Sequence, residues 1–193
     1  MPRLPNNIKV SQDEVSQTFN LAEITGLDFS GESDIKGRIG QAIIDKIVSR
    51  SEGGKDIRGN TFEAYADSYK KSEEFEAFGK SNKVNMTLSG NMLSTLDILS
   101  SGGSKIKIGW NDSTNNAKSF NHMTGDTVKQ RQFFGVQKKA VKEVLIEFRQ
   151  EIDRMKRDQT QNGNVSNFLN RLSVSQDEDD GLGTTISVGD FFG

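Results

Sequence analysis

A chain of 193 residues, 33% hydrophobic and 27% charged with 19 glycines, supplies apolar surface for one modest core and excludes two large domains. Lys and Arg number 25 against 27 Asp and Glu, and the resulting charge of -2 creates no global field for nucleic acid or an anionic membrane. The absence of cysteine excludes disulfides, thiolate metal sites and thiol nucleophiles. No apolar run approaches the ~18 residues of a membrane span and the first residues form no apolar leader, so a soluble protein made in the cytosol is expected.

Residues 1–30 are polar, with Val15, Phe19, Leu21, Ile24, Leu27 and Phe29 on no clean period, which reads as an N-terminal arm. Within it, Ser11-Gln12-Asp13-Glu14 has the form of a capping box and predicts a short helix. From Ile35 the positions 35, 39, 43 and 47 step by four and predict an amphipathic helix over 35–49, capped by Ser33 or Asp34 and ended by Gly53-Gly54. The stretch 61–79 holds Phe62, Tyr65, Tyr69, Phe75 and Phe78 among charges and reads as a loop or irregular helix anchored by its rings.

Met86 to Leu93 predicts a short helical turn. Residues 95–100, a glycine turn at Gly102-Gly103, and the alternating Lys105-Ile106-Lys107-Ile108 to position 110 predict a β-hairpin. A polar turn over 111–116, a short helix from Ala117 to Met123 ending at Gly125, and a strand over 127–134 follow. Val141, Val144, Leu145, Phe148, Ile152 and Met155 predict a long amphipathic helix over 137–156, with cations toward its C-terminal end. Residues 158–193 read as a polar C-terminal extension too poor in hydrophobics to fold alone, carrying apolar islands at 168–172 and 186–192. The fold expected over 31–157 is α+β, a small mainly antiparallel sheet packed by two amphipathic helices, with extended arms at both ends.

Chemistry-bearing motifs are weak when weighed against plainer readings. His122 is the one histidine; a hydrolase would have to use it with a neighbour such as Asp126, but no strand-to-helix nucleophile turn is present, and a packed or capping role is favoured. Gly102-Gly103-Ser104-Lys105 lacks the spacing of a phosphate-binding loop and precedes a strand, so a hairpin turn is favoured. Asp177-Glu178-Asp179-Asp180 lacks the alternating ligands of a calcium loop. The repeat of Val10-Ser11-Gln12-Asp13-Glu14 as Val174-Ser175-Gln176-Asp177-Glu178 is best taken as coincidence. Lys138, Lys139 and Lys142 with the cluster from Arg149 to Arg157 form only part of the basic face that a nucleic-acid-binding module would need. No catalytic, cofactor-binding or metal-binding residue is expected.

The order of elements between 35 and 155 resembles the virion-morphogenesis or tail-completion family of small neck proteins of long-tailed bacteriophages. The residues that carry the resemblance are Gly53-Gly54-Lys55-Asp56-Ile57-Arg58-Gly59, then Tyr65, Tyr69, Lys70, Lys71 and Ser72, then Leu88-Ser89-Gly90-Asn91-Met92-Leu93 and Ile108-Gly109. Ala117, His122 and Gly125 follow, and then Arg131-Gln132-Phe133-Phe134-Gly135 before the last helix. The resemblance covers about two thirds of the chain and implies a non-enzymatic, ring-forming subunit of the virion neck, assembled in the host cytoplasm. It also implies a homo-oligomer, hexamer favoured and dodecamer open. The implied neighbours are connector or portal-side proteins on one side and the tail tube or terminator on the other, with DNA met only as it passes through the lumen. A tail terminator that caps the tube is the alternative. Phe168, Leu169, Leu172, Ile186, Val188, Phe191 and Phe192 are the candidate subunit or partner contacts, because an apolar island on a polar arm can add a strand or a hydrophobic anchor to a neighbour.

Overall fold

Four short strands pair antiparallel in the order β1-β2-β4-β3, with β1 Ile8–Val10, β2 Val15–Asn20, β3 Asp97–Ser100 and β4 Lys105–Gly109. The computed structural model describes residues 4–79, 83–86 and 91–174. Around the sheet come α1 Leu21–Thr25, α2 Ser33–Glu52, α3 Asp67–Lys70, α4 Glu73–Ala77, α5 Asn91–Ser94, α6 Ser113–Thr124, α7 Lys138–Glu147 and α8 Arg149–Val174. This is an α+β fold. The chain divides into two compact units, Met1–Glu151 and Ile152–Gly193.

The apolar stripe of α2 does what its period requires. Ile35, Ile39, Ile43, Ile44 and Ile47 are all buried, and the helix lies against β3, β4 and α7. Gly40 permits the close approach to the sheet: a Cβ there would stand 2.5 Å from Ile98 Cδ1 and 3.0 Å from its Cγ1. Lys36 extends from the same helix with only 2% of its surface exposed, and its Nζ donates to the Ser101 and Gly103 carbonyls at 2.8 Å each. These bonds fasten the β3–β4 turn, where Gly103 takes φ +55. Gly102-Gly103-Ser104-Lys105 is therefore a hairpin turn, as the alternation after it predicts.

Two expectations about the sheet are corrected. Ser11 and Glu14 do not start a helix: they close the β1–β2 hairpin, with Ser11 N–H donating to the Glu14 carbonyl at 2.9 Å and Glu14 N–H donating to Ser11 Oγ at 3.1 Å. The same hydroxyl-to-amide bond three residues on serves either a helix start or a tight turn. The segment read as an arm thus supplies two strands, and β2 lies between β1 and β4. Its periodicity is hidden because polar Ser16 and Gln17 are buried along with Val15 and Phe19.

The second correction concerns 127–134, expected as a strand and found as irregular backbone. Its groups bond elsewhere. Arg131 N–H donates to the His122 carbonyl at 2.6 Å, the Gln132 carbonyl accepts from Ile57 N–H at 2.8 Å, and the Phe133 carbonyl accepts from Arg50 and Ser51. Just beyond, the fully buried Gln17 side chain bonds both backbone groups of Val136, at 2.8 Å each, and so replaces a strand pair with one amide.

The helices follow their signals with shifts at the ends. α6 starts earlier than predicted because Asp112 caps it, accepting from Asn115 N–H at 2.7 Å, and it ends at Gly125 in the left-handed conformation. The predicted helix over 137–156 is two helices divided at Phe148, whose N–H bonds to the Leu145 carbonyl three residues back. Past Asp158, α8 continues to Val174, although Asn162, Gly163, Asn164, Asn167 and Asn170 are weak helix formers.

Candidate functional site

The 61–79 segment folds back on itself through its rings. Tyr65, Tyr69 and Phe75 form a mutual trio with centroids 5.2 to 5.7 Å apart, two of the three pairs edge-to-face. Ser72 caps α4 by accepting from Phe75 N–H at 3.2 Å, which holds the third ring in place. The Tyr65 hydroxyl donates to the Asn85 carbonyl at 3.2 Å.

On the far side of Tyr65 lies the irregular 126–136 segment. The Arg131 guanidinium sits over the Tyr65 ring, 5.4 Å from its centroid, a cation–π arrangement. Between these walls opens a cavity of about 450 Å³ lined by Tyr65, Tyr69, Met86, His122, Val128 and Arg131, among others. Its size falls within the ~300–1,000 Å³ of ordinary ligand pockets. Val128 is 39% exposed, one of few large apolar side chains in that state among the described residues.

Two groups that can carry positive charge face this cavity with a buried nitrogen that has no hydrogen-bond partner among the described residues. Arg131 is 8% exposed, and its guanidinium makes no hydrogen bond or ion pair among the described residues; Nε is buried and unsatisfied. Burial depresses its pKa, an effect opposed by Tyr65, Glu63 and Tyr69. His122 Nδ1 is likewise buried without a partner, its ring standing edge-on to Phe133 with centroids 6.3 Å apart. Burial, reinforced by the Arg131 charge, pushes His122 from 6.5 down to about 4, so the imidazole is neutral near pH 7. Lys129 at the rim is paired with Glu63.

A neutral buried His122 makes stability depend on acid. Its pKa is lower folded than unfolded, so the unfolded chain takes up the proton first and stability falls as pH drops from 6.5 toward 4. The full loss is roughly 3 kcal/mol. Urea unfolding midpoints should decline through this window in the wild type and stay flat in His122→Gln between pH 6.5 and about 5, above the carboxylate range. A second decline belongs to Glu14, which hydrogen bonds to Lys107, Lys9 and Ser16 hold at about 2 instead of 4.5; it contributes stability above the higher value that is lost as pH falls to the lower. His122→Gln should leave that second decline intact.

The residues that carry the resemblance converge around the same region. Asp56 closes the Gly53–Gly59 turn by accepting from Arg58 and Asn60 N–H, both at 2.8 Å, and Ile57 N–H reaches Gln132. Arg131 meets Tyr65 and His122, while Phe133 and Phe134 pack on Trp110, whose Nε1 donates to the Met92 carbonyl at 2.7 Å. Leu88, Ser89 and Gly90 lie outside the described residues.

Of the candidate contacts read from the sequence, Phe168, Leu169 and Leu172 lie on α8, and Ile186, Val188, Phe191 and Phe192 lie outside the described residues, as does the acidic stretch 177–180. The pocket itself escaped the sequence reading. Arg131 and Tyr65 are 66 positions apart, and no local pattern marks a buried cation held over a distant aromatic ring. Among the described residues no group of three or more His, Asp and Glu could hold a metal, and no helix is long and apolar enough to cross a membrane. Comparison with protein-family models, with curated proteins and with solved structures finds no match to this chain.

Proposed function

We propose that the chain is a non-enzymatic structural subunit of the neck of a long-tailed bacteriophage, forming a ring that completes the tail and joins it to the head connector. What carries this reading is the resemblance over residues 53–135, whose scattered members meet in one connected region: the 53–59 turn on Gln132, Tyr65 on Arg131, His122 on Phe133, and Trp110 on Phe133 and Phe134. Side chains that share one packing unit are expected to recur together in order and spacing. Two further features suit ring assembly. Among the described residues β1 and β3 are the outer strands of the sheet, and apolar islands stand in the polar sequence after residue 158.

The test is the mass of the purified protein by light scattering across concentration, alone and with isolated phage tails. A hexamer, a larger ring, or a monomer that assembles only on tails is the expected result. A monomer indifferent to tails overturns the reading.

A further inference from the structure

The buried guanidinium of Arg131, which has no hydrogen bond or ion pair among the described residues, sets a chemical requirement. At 8% exposure it carries a desolvation cost that the Tyr65 ring and the nearby Glu63 and Tyr69 offset only in part. The groups around it, Tyr65, Tyr69, Met86 and Val128, offer an apolar enclosure and no carboxylate; Glu63 is engaged by Lys129. The complementary occupant has a carboxylate for Arg131 and an aromatic or aliphatic body for the cavity beside it, where a bidentate pair would form in a low-dielectric setting.

The chain contains four steps in which an acidic residue directly precedes phenylalanine: Asp28-Phe29, Glu74-Phe75, Glu147-Phe148 and Asp190-Phe191. Three are already engaged. Phe29 is fully buried and Asp28 bonds Ser30 and Ser104; Phe75 belongs to the ring trio; Phe148 lies under Arg38 while Glu147 is 3.9 Å from Lys46. Asp190-Phe191-Phe192, beyond the described residues, combines the required anion with two rings.

We infer that the Arg131 pocket receives Asp190-Phe191-Phe192 of a second copy of the chain, the carboxylate on the guanidinium and a phenylalanine ring among Tyr65, Tyr69 and Met86. The inference rests on the ring-subunit reading and deepens it. Each copy carries one pocket and one such segment, so the contact joins two different surfaces, and head-to-tail contacts of this type close into rings when the rotation permits.

Two full-length variants test it, Arg131→Gln and the triple substitution Asp190→Asn, Phe191→Ala, Phe192→Ala, each checked for folding by circular dichroism. Each alone should lose self-assembly by light scattering, and mixing them should restore a 1:1 pair that grows no further, since one supplies an intact segment and the other an intact pocket. In parallel, a fluorescein-labelled peptide of residues 181–193 is titrated into the triple variant. It should bind, and Asp190→Asn in the peptide should weaken binding by roughly 30-fold or more, the effect of truncating a buried charge pair. The peptide arm does not depend on Arg131→Gln folding.

Assembly without peptide binding overturns the docking inference and leaves the ring reading standing. Peptide binding by a chain that never assembles supports the pocket's recognition chemistry and overturns the ring. Peptide binding without pairing of the mixed variants places the segment on its own chain and overturns the second-copy assignment.

Discussion

Gln17→Leu should lower stability by roughly 3 kcal/mol, seen as a fall in the urea midpoint with the slope unchanged. Gln17 is fully buried, and its amide does three things at once: Oε1 accepts from Val136 N–H at 2.8 Å, Nε2 donates to the Val136 carbonyl at 2.8 Å, and Nε2 also donates to Asn7 Oδ1 at 3.1 Å. Leucine fills a similar volume but leaves both backbone groups of Val136 without partners, at about 1–3 kcal/mol for each buried orphan. The consequence extends to the 131–136 segment, which has no ladder of its own and is tied to β2 by this side chain. Faster amide exchange at Val136 in the variant should accompany the loss. A change below about 1 kcal/mol would mean that the segment finds other partners, and would remove Gln17 as its anchor.

Gly135→Ala is expected to cost about 3 kcal/mol, from two sources that a control separates. The backbone at Gly135 has φ +97, and a Cβ there would lie 2.5 Å from Ile8 Cδ1, 3.0 Å from Gln17 Oε1 and 3.2 Å from Ile57 Cδ1. The left-handed conformation contributes ~1–2 kcal/mol for an L-residue, and displacing the terminal methyls of Ile8 and Ile57 and the Gln17 amide oxygen adds about 1–3 kcal/mol. Gly26 also has positive φ, +77, yet nothing lies within 4 Å of its position. Gly26→Ala should therefore show the conformational part alone. Equal losses at the two positions would show that Gly135 is not a packing point.

Where a stretch of chain announced its structure, the signal was local. The four-residue steps of isoleucine in α2, the Gly102-Gly103 turn before alternating Lys and Ile in β4, and the left-handed Gly125 after α6 each reflect interactions within a few positions. The apolar face of α2, the β4 hairpin and the end of α6 appear where the pattern places them, because helix faces, hairpin turns and caps are decided by neighbours along the chain. The α+β class follows from them.

The rest was set mostly by partners distant in the chain. β2 joins the sheet through β4, with Phe19 opposite Ile106, and its buried Ser16 and Gln17 erase the apolar alternation by which a strand is recognised. The 127–134 stretch has that alternation in part, but its carbonyls and amides are taken by His122, Ile57, Arg50 and Ser51 before a strand can form. The pocket is of the same kind: Tyr65, His122 and Arg131 become one site only when the ring trio and the irregular segment are packed together. Composition and period thus determined the class and the main helices. Tertiary structure decided the strand partners, the anchored loop and the buried cation, since each depends on which distant group satisfies a buried hydrogen bond or charge, and a linear pattern does not record that.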